Sequence, residues 1–113
     1  MLNFRENIIT IRDDFSKFRI YSIQKYLNSL LEIFNKLIEL SKKKGELNYK
    51  EAILKIINEL ISMKNKSNQI FKRNIENVKT KEDKNEYKEL YKELSHLRNN
   101  LVTYLTSFTK KIN

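Results

Sequence analysis

The stretch ELSHLRNNLVTYL, residues 93–105, holds the single histidine of the chain, His96, close to Arg98, Asn99 and Asn100. A histidine near an arginine could serve as a general acid or base if both reached the same group. On an ideal helix at about 100° per residue, however, Arg98 lies roughly 160° around from His96, at the edge of an apolar seam. A His–Arg pair would therefore need a second subunit, and we interpret His96 as a solvated residue on a polar face.

The segment RNNLVTY, Arg98 to Tyr104, resembles the motif of HEPN ribonucleases. In that family of small helical bundles an arginine, a polar residue, a short apolar stretch and a histidine follow one another near the C-terminus. Thr103 occupies the place of the family's histidine, and a threonine hydroxyl does not titrate near neutral pH. The resemblance, over seven residues, implies a catalytically inactive HEPN-like bundle.

No other group of residues predicts catalysis. The neighbouring acids Asp13–Asp14 and Glu82–Asp83 splay about 100° apart on a helix, so neither forms a working pair. The chain has no cysteine, no glycine-rich phosphate loop and no nucleophile elbow, and one histidine is too few for an ordinary zinc site. We predict a protein that is not an enzyme and takes no metal, cofactor or small-molecule substrate.

Composition predicts an all-α fold. The 113 residues are about enough for one domain, 1–113, and a 40% hydrophobic content gives it a core. The chain has no proline and one glycine, the residues that typically form the tight turns between strands, and helix interiors need neither of them. No run of 18 apolar residues occurs, and acids interrupt the first 15 residues, so we expect a soluble, cytoplasmic protein without membrane contacts.

Three helix starts are marked by a small polar residue followed three positions later by an acid. The pairs are Asn3 with Glu6, Asn48 with Glu51, and Thr80 with Asp83. Lysines 42–44 suit the C-terminus of a helix, and Gly45 suits a left-handed cap residue after it. These boundaries predict helices at about 3–44, 48–79 and 81–112.

Apolar spacing supports an antiparallel bundle of these helices. The third helix carries a seam at alternating steps of three and four, formed by Tyr87, Leu90, Leu94, Leu97, Leu101, Tyr104 and Phe108. The second helix loses its stripe over KNKSNQ, residues 64–69, where we expect it to bend or fray. The first segment loses phase near residues 19–22, so the bundle has three long helices, or four if that segment breaks.

Positive charge is concentrated in one stretch. The net charge is +9, and residues 62–81 carry six cations against a single acid. Cations and amides along one ridge typify surfaces that contact phosphates. The predicted ridge comprises Lys64, Lys66, Gln69, Lys72, Arg73, Asn77, Lys79 and Lys81, with possible further contacts from Lys42, Lys43 and Lys44.

These features support the hypothesis of a non-enzymatic basic subunit that binds the backbone of RNA or single-stranded DNA. Tyr87, Tyr104 and Phe108 fall on the seam, leaving few stacking platforms, although Tyr26 and Tyr91 are marginal candidates. In general character such a chain is similar to the small subunits of CRISPR effector complexes in antiviral defence. The competing interpretation is that the many lysines result from codon bias and lie on a solvated surface without a binding role.

An alternative hypothesis is a protein-interaction module, such as a helical chaperone, an antitoxin-like protein or a phage inhibitor. Apolar residues in 20–40 cover more than one helix face, so a fourth helix or another chain must cover them. The predicted partner interface comprises Ile20, Tyr21, Tyr26, Leu31 and Ile38.

Overall fold

The computed structural model describes residues 2–112 and contains four α-helices, with no strand in that range. The helices are α1 (Leu2–Phe15), α2 (Tyr21–Ser41), α3 (Tyr49–Asn74) and α4 (Lys81–Lys110). Each helix packs against two others, in the cyclic order α1, α2, α3, α4, within a body of 51 × 20 × 18 Å. The predicted all-α antiparallel bundle is confirmed, in its four-helix form.

The first predicted helix breaks between residues 16 and 20. A short 3-10 turn spans Ser16–Phe18, and Arg19 then adopts a left-handed conformation with φ of 55°, which is uncommon for a residue other than glycine. This reversal lays α1 back along α2. Arg5 Nε donates to Asn35 Oδ1 at 3.2 Å, and Arg12 Nη1 donates to Asn28 Oδ1 at 3.3 Å.

The predicted helix starts differ in their local chemistry. Thr80 caps α4 as expected, because its hydroxyl accepts a hydrogen bond from the Asp83 amide at 3.1 Å. Asn48 occupies the cap position of α3, but its side chain makes no capping hydrogen bond. Asn3 lies inside the first turn of α1 rather than before it.

The prediction of a left-handed cap at Gly45 is wrong. Helix α2 ends earlier, at Ser41, and Gly45 does not have a positive φ. The Lys43 amide bonds to the Leu40 carbonyl at 2.9 Å, and the Glu46 amide bonds to the Lys43 carbonyl at 3.0 Å. Consecutive turns, each closed by a hydrogen bond from the amide of residue i+3 to the carbonyl of residue i, therefore complete the connection.

Helix α3 runs unbroken through residues 64–69, where a bend or fray was expected. It ends at Asn74, five residues before the predicted end, and a 3-10 turn spans Ile75–Asn77. The polar stretch does not interrupt packing because Ser67 points into the core with no exposed surface. Its hydroxyl donates to the Lys64 carbonyl at 2.7 Å.

Aromatic rings join all four helices around Phe71, which is fully buried on α3. Its ring centroid lies 5.4 Å from that of Phe15 on α1, 5.5 Å from Tyr26 on α2, and 4.7 Å from Tyr91 on α4. Tyr87, also on α4, is 1% exposed, and its hydroxyl donates to the Phe71 carbonyl at 2.6 Å. Burial raises the pKa of the Tyr87 phenol well above its usual range.

The buried Tyr87 phenol predicts a loss of stability in alkali. Because its pKa is higher in the folded chain, the unfolded chain loses the phenolic proton first, so the free energy of unfolding should fall once the pH passes about 10. One such group contributes a slope of about 1.4 kcal/mol per pH unit in that range. In denaturant unfolding between pH 8 and 11, the free energy of unfolding of Tyr87→Phe should decline less steeply than that of the wild type. At neutral pH the same substitution should cost about 1 kcal/mol, because it removes the hydrogen bond to the Phe71 carbonyl.

Tyr104→Phe, which removes a phenol that is 52% exposed, is the matched control, and a larger effect of Tyr87→Phe than of this control assigns the decline to the buried phenol. An identical decline in Tyr87→Phe and in the wild type would contradict the assignment.

Candidate nucleic-acid interface

All eight side chains of the predicted ridge are exposed. None of its six cations pairs with a carboxylate among the residues that the structure describes. Elsewhere, Lys36 pairs with Glu59 at 3.5 Å, and Lys17 pairs with both Asp83 and Glu86. The charge of the ridge is therefore open to an anionic ligand, whereas part of the remaining positive charge is neutralised locally.

Helix α3 divides the predicted ridge between two flanks. At about 100° per residue, Lys66 and Arg73 lie about 20° apart with Gln69 beside them, whereas Lys64 lies about 160° from Lys66. The cavities agree with this division, because Lys66 lines a groove against α2 and Lys64 lines a groove against α4. The ridge is thus two basic edges separated by the width of a helix.

The groove between α2 and α3 places two cations opposite one another. Lys25 from α2 and Lys66 from α3 line a cavity of about 220 Å³ together with the hydroxyl-bearing Ser22 and Ser29. Asn74 Nδ2 donates to Ser22 Oγ at 3.0 Å, which holds that hydroxyl in place. Sequence reasoning missed Lys25 because it lies within an apolar stretch, and only the antiparallel packing of α2 and α3 brings it to Lys66.

The C-terminal part of the predicted ridge has a mixed electrostatic character. Asn77 lies in the 3-10 turn and donates to Asn74 Oδ1 at 3.0 Å, so its amide is already engaged. Lys79 and Lys81 flank the start of α4, whose first turn carries Glu82 and Asp83. The positive charge of these two lysines is therefore partly offset by adjacent carboxylates.

Lys42, Lys43 and Lys44 are exposed in the connection between α2 and α3, at the opposite end of the bundle from the turn before α4. Lys42 pairs with Glu39 at 3.4 Å. Lys44 lines a small cavity beside Tyr104. These lysines form a separate basic end rather than an extension of the ridge.

Three of the five residues predicted to face a partner are buried within the chain. Ile20, Tyr26 and Leu31 are at most 9% exposed and Ile38 is half-buried, whereas Tyr21 is 79% exposed. Burial within the chain rules these three residues out as a surface for a partner. Tyr26 is covered by α3 and α4, where it contacts the Phe71 ring, the Met63 carbonyl and Arg98.

The expected positions of the aromatic rings also need correction. Tyr104, predicted on the core seam, is 52% exposed and lies parallel to Phe108, with ring centroids 6.4 Å apart. Tyr26, considered for exposure, is 4% exposed and donates its hydroxyl to the Met63 carbonyl at 2.9 Å. Tyr91 is half-buried against Phe71. Tyr104 is therefore an exposed aromatic ring, although the seam pattern predicted that it would be buried.

His96 and Arg98 lie on different sides of α4. His96 is exposed and lines a cavity of about 310 Å³ between α1 and α4, together with Asp14 and Glu93. Within residues 2–112, no three histidine, cysteine or acidic side chains are grouped so that they could hold a metal ion. Arg98 turns inward instead and is 3% exposed, in the core rather than at the edge of the seam.

Arg98 is the centre of a buried polar layer that links three helices. Its Nη1 donates to Tyr26 Oη on α2 at 3.0 Å and to Ser67 Oγ on α3 at 2.9 Å. Both hydroxyls give their own hydrogens to backbone carbonyls, those of Met63 and Lys64. Their lone pairs are therefore oriented toward the guanidinium. Burial raises the pKa of the Tyr26 phenol, and the Arg98 charge opposes that effect.

The charge of Arg98 has no counterion in the part of the chain that the structure describes. No carboxylate in the described part of the chain pairs with it, and its buried Nε has no hydrogen-bond acceptor. Leaving one buried donor unpaired costs about 1–3 kcal/mol, and a buried charge without an opposite charge costs more. A sequence signal for this layer does exist. Ser67 continues the spacing of the buried residues Leu60 and Met63 on α3, and Arg98 lies beside the apolar seam of α4.

We predict that Arg98→Met keeps the fold. Methionine fills the space of the aliphatic stem, and replacing a poorly compensated buried charge with an apolar side chain is typically neutral or stabilising by about 1–4 kcal/mol. Urea unfolding should show an equal or higher free energy of unfolding, with unchanged helical circular dichroism. Arg98→Ala, the control that empties the site, should lose about 2–4 kcal/mol to the resulting cavity. A loss in Arg98→Met as large as that in Arg98→Ala would contradict this account.

Among the helices described, none is both long enough and apolar enough to cross a lipid bilayer. No known protein family, characterised protein or solved structure matches the chain.

Proposed function

We propose that this protein is a non-enzymatic basic subunit of a nucleoprotein assembly and binds the backbone of RNA or single-stranded DNA. The observation that carries the proposal is a set of six exposed cations between residues 64 and 81. None of them forms an ion pair with a carboxylate in the described part of the chain. Lysine and arginine that neutralise phosphates release condensed counterions, so such a surface gains affinity without reading bases.

The α2–α3 groove supports this mode of binding. Lys25 and Lys66 supply positive charge from its two walls, and Ser22 and Ser29 add polar groups that suit phosphate oxygens. Gln69, which lies beside Lys66 and Arg73 on α3, adds an exposed amide. A strand held by these groups would be contacted mainly through its phosphates, so binding should depend steeply on salt and little on sequence.

The separation of His96 from Arg98 supports a role without catalysis. An exposed histidine near α1 and an arginine buried toward α2 and α3 do not converge on one reacting atom. A compact basic helical bundle of this kind is similar in class to the small subunits of CRISPR effector complexes, which suggests a role in antiviral defence.

Charge reversal tests the ridge. The triple variant Lys66→Glu, Lys72→Glu, Arg73→Glu should lose binding to labelled single-stranded RNA or DNA in fluorescence anisotropy while keeping its helical signal. Replacing the same three residues with glutamine should make the fall of log K with log salt less steep. The magnitude of the negative slope should decrease by about 2, since each single-strand phosphate contact contributes roughly 0.7.

The matched control reverses Lys84, Lys88 and Lys92, which lie on α4 among Glu82, Asp83, Glu86, Glu89 and Glu93. It changes the net charge by the same amount but should retain most of the binding. Equal losses in both triple variants would show that only net charge matters, and undiminished binding in the ridge variant would refute the proposed face.

One observation favours the alternative of a protein-interaction module. Leu54 and Ile61 lie two turns apart on the same face of α3 and are 43% and 44% exposed. Sedimentation of a monomer at high concentration, together with no binding of an apolar dye, would remove this alternative.

A further inference from the structure

We propose that Arg98 and Lys64 form a phosphate-binding site in the groove between α3 and α4. The inference rests on the proposed function and assigns one phosphate group of the bound strand to this groove. Both residues line a cavity of about 230 Å³ whose polar groups also include the Asn99 amide and the Thr103 hydroxyl.

The lining is suited to an anion. It combines two cations, an amide and a hydroxyl with the aliphatic side chains of Leu60, Ile61 and Val102, and it contains no carboxylate. An anion entering this groove would meet donors without displacing an internal counterion. A phosphate is a compact negative group with several acceptor oxygens. The positive charge and the hydrogen-bond donors of the groove are complementary to such a group.

Arg98 supplies the strongest reason for a ligand. It is 3% exposed, and its Nη1 is held by two neutral hydroxyls, those of Tyr26 and Ser67. Its Nε has no acceptor, and no carboxylate in residues 2–112 pairs with the guanidinium. A phosphate in the groove would provide the missing opposite charge at a site where low dielectric strengthens the interaction. Because Tyr26 and Ser67 already orient the guanidinium, little ordering is required on binding.

The position of Lys64 relates this site to the rest of the ridge. Lys64 borders the α3–α4 groove while Lys66 borders the α2–α3 groove, on the other flank of the same helix. A helix is about 10 Å wide, a distance that about three stacked nucleotides cover at 3.4 Å each. A single strand that crosses α3 over the exposed Asn65 can therefore place phosphates in both grooves.

The decisive measurement follows the Nε–Hε resonance of Arg98 in ¹⁵N-labelled full-length protein. Arg98→Lys, which lacks this group, identifies the signal. The protein is titrated separately with a twelve-nucleotide oligothymidylate, inorganic phosphate, sodium acetate and sodium chloride at matched ionic strength. We expect the oligonucleotide and phosphate to shift the resonance and acetate and chloride to leave it in place.

Affinity for the oligonucleotide provides the second measurement. Lys64→Gln should weaken binding about tenfold, because it removes a charged hydrogen-bond donor from the phosphate. Lys88→Gln, an equal change of charge on the exposed face of α4, should alter it little. Arg98→Met should reduce the salt slope by roughly 0.7, one single-strand phosphate contact.

The outcomes separate this inference from the proposed function. If the oligonucleotide binds while the Arg98 resonance stays fixed and Lys64→Gln matches Lys88→Gln, the phosphate site is refuted and backbone binding by the ridge stands. A resonance shifted by inorganic phosphate in a protein that binds no oligonucleotide supports the site, with a small phosphate as its ligand, and refutes the proposed function. An equal shift with acetate overturns the assignment to phosphate, and no shift with any anion overturns the site.

Discussion

The packing of aromatic rings around Phe71 is the interaction on which the remainder of the structure depends. Phe15, Tyr26 and Tyr87 bring α1, α2 and α4 to the same point on α3, each with its ring centroid within 6.2 Å of that of Phe71. Such rings bury much apolar area and gain further from edge-to-face contacts. Because α1 must fold back to deliver Phe15, this cluster also sets the reversal at residues 16–20 and hence the four-helix form. Both grooves beside α3 follow from the helix pairing that it imposes.

A polar layer lies directly against this apolar cluster, since Tyr26 belongs to both. Its phenol ring packs on Phe71, and its hydroxyl accepts from Arg98. The contrast is energetic, because the rings stabilise the bundle, whereas a buried cation without a carboxylate costs stability unless a ligand compensates it. Two oriented hydroxyls hold Arg98 in this layer although its Nε lacks an acceptor, and these contacts are the basis of the proposed phosphate site. Arg98 also lines the α3–α4 groove, so the proposed phosphate site adjoins this polar layer.

Several elements were predictable because they depend on local chemistry. Thr80 caps α4 through its neighbour Asp83, and the phase loss near residues 19–22 marks the break between α1 and α2 to within a few residues. The errors had two origins, one in the local turns of the α2–α3 connection and the other in a tertiary contact. Gly45 suited a left-handed cap, but α2 ends earlier, at Ser41, and right-handed turns complete the connection. Ser67 lies in the stretch where a bend or fray was expected, because the Arg98 that accompanies it in the core lies 31 positions away.

The sequence by itself determined the helical class, most of the apolar seams and the concentration of cations in residues 62–81, because composition and periodicity are local properties of a chain. The tertiary structure alone decided which cations share a surface. Lys64 and Lys66 are two residues apart in sequence yet border different grooves, whereas Lys25 and Lys66, which are distant in sequence, face the same one. It also decided that Arg98 is buried with no counterion among residues 2–112, since burial of a charge depends on how three helices meet and not on the pattern of any one of them.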